Sequence, residues 1–121
     1  MKQIFQTLSI ILLSFLWLLT SAMAHSPLKS TSPENKATVN AVPTEITINF
    51  GKPARLTKVT LIHSTSDKTH SDKVALPSKK FEKSFKLIPE FRGAGKYQVD
   101  WRALSNDGHA LKGSFTFSVE E

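Results

Sequence analysis

Beyond its first two dozen residues the chain alternates apolar and polar positions with a period of two. That is the signature of strands with one face buried. No segment of useful length carries the helical period. In Glu45-Ile46-Thr47-Ile48-Asn49-Phe50 the alternation places Ile46, Ile48 and Phe50 on one face, and Gly51-Lys52-Pro53 is expected to close the strand. Leu56 to Ile62 forms a second run leading into His63, and the polar stretch Ser64 to Ser71 reads as a loop or the end of a hairpin. A short strand is expected through Val74-Ala75-Leu76, and another that aligns Phe81, Phe85 and Leu87. Pro89 to Gly95 is a turn region. The strongest pattern follows: Tyr97, Val99, Trp101 and Ala103 face one way, and Gln98, Asp100 and Arg102 the other. A last strand over Lys112 to Val119 buries Gly113, Phe115, Phe117 and Val119. With a strand near Leu28 to Thr31, turned by Ser32-Pro33-Glu34-Asn35, the set comes to about seven. Short alternating strands split by turns predict an all-β fold, a sandwich or barrel of immunoglobulin-like character.

The first 24 residues follow a different rule. Lys2 supplies a positive start, Ile10 to Leu19 an apolar core, and Ala22-Met23-Ala24 the small residues of a cleavage site. This order reads as a secretory signal peptide, cut after Ala24. An apolar core of about 10 residues is half the roughly 20 that a membrane span needs. Residues 25–121 then form one exported domain, which begins at His25.

Composition narrows the chemistry. Lys2 is the only charge in the leader, so the domain keeps 15 of the 16 basic side chains against 10 acidic ones. The lysines are scattered, which reads as a solvated basic surface and not as a nucleic-acid footprint. Cysteine is absent, so the core must hold the fold without disulfides. Both methionines, Met1 and Met23, lie in the leader. The domain therefore lacks the soft sulfur ligands that select Cu(I), while imidazole, amine and carboxylate suit Cu(II), Zn(II) or Ni(II).

An N-terminal His25 would bring two nitrogens on one residue, its α-amine and its ring Nδ1, closing a six-membered chelate ring. Cu(II) favours a tetragonal set of N and O donors, and this pair would fill two positions. The free amine has a pKa near ~7.8, so at neutral pH a metal displaces a weakly held proton. Asp107-Gly108-His109 offers more, in a loop between the two best-defined strands. His109 would add a third nitrogen; Asp107 would add an oxygen, offset charge, or orient a ring. Asn-Asp-Gly is also an ordinary turn sequence, so the triplet gains its meaning from His25. His63 and His70 read as surface histidines. There is no G-x-S-x-G elbow, phosphate-binding glycine loop or closely spaced acidic pair.

Gly95 to His109, with its Tyr97-Gln98-Val99-Asp100-Trp101-Arg102 core and its Asp107-Gly108-His109 end, resembles the signature of the CopC copper-resistance family. The tail Gly113 to Val119, Ile48-Asn49-Phe50 and the start His25, Leu28-Lys29-Ser30 and Ser32-Pro33 fit as well. The resemblance implies a periplasmic Greek-key β-barrel or sandwich that is a non-catalytic carrier of Cu(II). It also implies that His25, Asp107 and His109 are the metal ligands. Some members carry a methionine-rich Cu(I) loop, which this chain lacks; some carry glutamate where Lys52 stands. The chain is expected to be a monomer, and the resemblance implies that it could work beside a separate membrane copper transporter of the CopD type. Two other readings of the residues are an oxidative enzyme built on a copper histidine brace and a metal-free immunoglobulin-like interaction module. The length of 97 residues argues against the first.

Overall fold

The computed structural model describes residues 27–121; the leader and His25 lie outside them. Seven strands follow in order: β1 (Leu28–Ser32), β2 (Ala37–Val39), β3 (Ile46–Ser64), β4 (Thr69–Lys73), β5 (Glu82–Leu87), β6 (Gly95–Ser105) and β7 (Ala110–Val119). No α-helix occurs among the described residues. The strands form one curled sheet in the order β1-β3-β6-β7-β2, with β4 and β5 also paired to β3. All pairings are antiparallel except β2 with β7.

The 19-residue β3 is the main departure from expectation. Gly51-Lys52-Pro53 does not end a strand; the chain stays extended and changes partners. Residues Thr47 to Phe50 pair with β1 and Ile46 to Asn49 with β5. From Ala54 onward β3 pairs with β6, and from Thr60 also with β4. Residues 51–53 fall in the gap between these registers, so the missing N–H of Pro53 costs no ladder hydrogen bond. A second irregularity at Thr57 shifts the register by one residue. There the buried set moves from Ala54 and Leu56 to Val59, Leu61 and His63, as a one-residue bulge requires.

The two halves of β3 enclose one core. Phe50 from the first half meets Trp101 of β6 edge-on at 5.3 Å, and Phe85 of β5 at 5.9 Å. Tyr97 stacks on Phe117 at 5.1 Å. The expected inward set Tyr97, Val99, Trp101, Ala103, Phe115, Phe117 and Val119 is buried. Gly113 is half-buried beneath the Trp101 indole.

Other expectations need correction. Val74-Ala75-Leu76 is irregular, and the strand lies just before it, at Thr69–Lys73, where the polar stretch from Ser64 forms the end of a hairpin with β3. Val74 is buried nonetheless. Ala37–Val39 forms a short parallel strand that its three residues do not announce. Phe81 precedes β5 and stays 44% exposed, with the Arg55 guanidinium 5.5 Å from its ring centre.

Candidate metal centre

The β6–β7 loop is held shut by its own polar groups. The Ser105 amide donates to the His109 carbonyl at 2.9 Å, and the Gly108 amide to the Ser105 carbonyl at 3.0 Å. Gly108 takes φ +91°, a left-handed conformation that glycine adopts without strain. This turn brings Asp107 and His109 together. Asp107 Oδ1 accepts from the Ser105 hydroxyl, from the His109 amide at 3.1 Å and from His109 Nδ1 at 2.9 Å. The Ser105 hydroxyl oxygen also accepts from the His109 amide at 3.1 Å.

These contacts fix the chemistry of both side chains. Because Nδ1 donates to a carboxylate, the His109 ring is oriented and its other nitrogen, Nε2, is the one available to a metal. Donors crowd Oδ1, so Oδ2 is the oxygen with capacity left. The Ser105 hydroxyl, then the His109 ring and amide, hold the Asp107 carboxyl well below the usual carboxylate range. It is an anion at every physiological pH. Both side chains are open to solvent, His109 at 80% and Asp107 at 63%, so an ion can reach them with no opening motion.

A cleft of about 600 Å³ runs beside this pair. Phe50, Pro53 and Leu111 give it apolar walls, and Pro27, Gly51, Lys52 and Ser105 complete it. The Gly51 amide donates to the Pro27 carbonyl at 3.1 Å, which fixes the start of the described chain on the cleft rim. Lys52 is exposed on the same rim. No group of three metal-binding side chains occurs among the described residues. Asp107 and His109 make two.

His63 and His70 stand apart from this loop. They face each other across the β3–β4 hairpin, and His63 pairs with Tyr97, about 26 Å along β6 from Ser105. His63 is not a surface residue. It is 6% exposed, its Nε2 donates to the Ala94 carbonyl at 2.8 Å, and its ring lies 4.6 Å from that of Tyr97. The inward phase that buries Val59 and Leu61 reaches His63 as well. Sequence reasoning missed Ser105, although its place two residues before Asp107 is the usual spacing for a side chain that closes such a turn. It also missed the Pro27–Gly51 bond, because backbone pairing between distant segments leaves no local mark.

The CopC domain family model matches residues 28–120. The chain belongs to the CopC family. A CopC relative, copper resistance protein C of Escherichia coli, is 38% identical over 110 residues, covering 83% of this chain and 85% of its own length. Among solved CopC structures, PcoC of Escherichia coli matches with TM-score 0.60 at 35% identity, over 80% of this chain and 100% of PcoC. CopC of Methylosinus trichosporium OB3b matches with TM-score 0.61 at 28% identity, over 79% and 94% of the two chains. PcoC is described as methionine-rich, whereas this CopC chain has no methionine after Met23.

Proposed function

We propose that this chain is an exported, periplasmic Cu(II)-binding protein that sequesters or delivers copper. Family membership supports the copper role: relatives are named copper resistance protein C and, in Bacillus subtilis, copper transport protein CutJ. The domain's lack of sulfur favours the cupric state. The ion is held by the His25 amine and ring, His109 Nε2 and Asp107 Oδ2. One observation carries this reading: Pro27 is tied to the rim of the cleft that Asp107 and His109 line. Two residues of chain span at most ~7 Å, a reach that lets a ligand at position 25 come to that rim. Cleavage after Ala24 would give that ligand a free amine beside its ring. The role is binding and handover, with no chemical step assigned to the protein.

The test compares two purified forms, one starting at His25 and one retaining Ala24. Cu(II) competition titration should show one tight site in the first and a loss of at least about 100-fold in the second, since the chelating amine is gone. Equal affinities would overturn the proposal.

A further inference from the structure

The outward face of the sheet carries a charge pattern that folding does not call for. Lys58 of β3 stands directly opposite Arg102 of β6, and Arg102 directly opposite Lys112 of β7. All three are exposed. Like charges directly opposite each other on a sheet face work against strand pairing. The adjoining rows add to the excess: Arg55 lies opposite Leu104, and Lys73 of β4 opposite Thr60. Against these five cations the same rows offer one carboxylate, Asp100, which accepts a hydrogen bond from Gln98 Nε2 at 2.8 Å. None of the ion pairs among the described residues involves any of the five. The next row, Ile62, Gln98 and Thr116, is uncharged.

The location of the strip bears on copper. Arg102 and Lys112 lie two positions from Leu104 and Ala110, the last pair before the loop that carries Asp107 and His109. A partner held on the strip would sit beside that open loop. The central row crosses three strands, about 10 Å in all. No large apolar side chain is exposed on its three strands; the two exposed in the described residues are Phe81 and Ile88. A lipid surface is gripped by apolar anchors together with spread basic charge. The central row is narrow and has no apolar anchor of its own, Phe81 lying only at the edge of the strip against the Arg55 guanidinium, and such a row fits a short acidic stretch of protein.

We propose that Lys58, Arg102 and Lys112 form the docking surface for an acidic segment of the protein that exchanges copper with the Asp107–His109 loop. The identity of that partner rests on the copper-binding reading above. Complementary charge speeds encounter and selects partners, and its effect falls with salt.

A fluorescein-labelled peptide of six glutamates is the probe, read by anisotropy at low ionic strength. The variant Lys58→Thr, Arg102→Thr, Lys112→Thr is compared with Lys79→Thr, Lys83→Thr, Lys86→Thr, which removes the same charge from exposed positions elsewhere. The first should bind the peptide at least about tenfold more weakly than the unaltered protein, the second less than about threefold. Equal weakening by both would reduce the effect to net charge and overturn the proposal. Strip-dependent binding to phosphatidylglycerol vesicles, with peptide binding indifferent to the strip, would overturn it in favour of a membrane. Threonine suits strands and removes the repulsion, so the first variant should unfold at or above the midpoint of the unaltered protein. A lower midpoint would mean that the row serves the fold, which would overturn the premise that its charges are there for a partner. Cu(II) titration of the same proteins keeps the two ideas apart: the strip variant should bind copper with unchanged affinity. Failure of the unaltered protein to bind Cu(II) would sink the copper reading without touching the peptide result.

Discussion

Replacing Gly113 with alanine isolates the packing beneath the β6–β7 loop. Gly113 pairs with Trp101, and the indole lies across it. An added Cβ would stand 2.6 Å from Cζ2, 2.9 Å from Cε2 and 3.0 Å from Nε1 of Trp101. Carbon atoms in contact settle at about 3.5–4.0 Å. Two effects oppose each other. Alanine restricts the unfolded chain more than glycine, a gain of about 0.5–1 kcal/mol. Overpacking a filled core costs about 1–3 kcal/mol. The outcome depends on whether the indole can retreat. Trp101 is 2% exposed and backed by Phe50, which is itself backed by Phe85. The ring has nowhere to go, so the clash wins and the net loss should be about 1–2 kcal/mol. In a domain of this size each kcal/mol moves the unfolding midpoint by roughly 4–8 °C, so Gly113→Ala should melt about 5–15 °C lower. Thermal unfolding followed by circular dichroism and by Trp101 fluorescence measures it. A midpoint equal to or above that of the parent would refute the claim that the indole excludes a side chain here.

Tyr97→Phe should cost about 1–3 kcal/mol in denaturant unfolding, because the phenol donates to the Gly93 carbonyl at 2.6 Å and accepts from the Arg92 amide at 3.0 Å, and the variant leaves both without it. Asp107→Asn should lower Cu(II) affinity by about 10–100-fold through the loss of one anionic oxygen and of ring orientation, while His109→Ala should lower it further; near-parent affinity in either would remove that residue from the site. Cu(II) affinity should fall as the solution is acidified, because protons compete with a metal for its nitrogen ligands. Asp107, already held below the usual carboxylate range, should add no step of its own between about pH 3 and 5, which competition titrations at several pH values would reveal.

The period-two pattern made the inward faces of β6 and β7 legible, since each strand has one wet and one dry side and the alternation runs unbroken. It failed where the backbone changes phase or partner. Gly51 and Pro53 look like terminators to any local rule, yet β3 runs through them because neither residue is asked for a ladder bond there. The bulge at Thr57 reverses the buried phase, which is why His63 resembled a surface residue from its sequence neighbours. Strand β2 has three residues and exists because β7 accepts it. At the candidate site the turn that brings Asp107 and His109 together was readable from its turn residues. The grip of Ser105 and the anchoring of Pro27 on Gly51 were not, because both depend on where the folded backbone passes.

Four of the other six strands, β1, β4, β5 and β6, hydrogen-bond to β3. The elements built on β3 share that one strand, so none of these pairings is independent of it. Its amides should be the slowest in the molecule to exchange with solvent, opening only in global unfolding. The Gly51–Pro53 wall of the cleft belongs to this spine. The rim that receives Pro27 is thus preorganised, and a captured ion need not pay to order it.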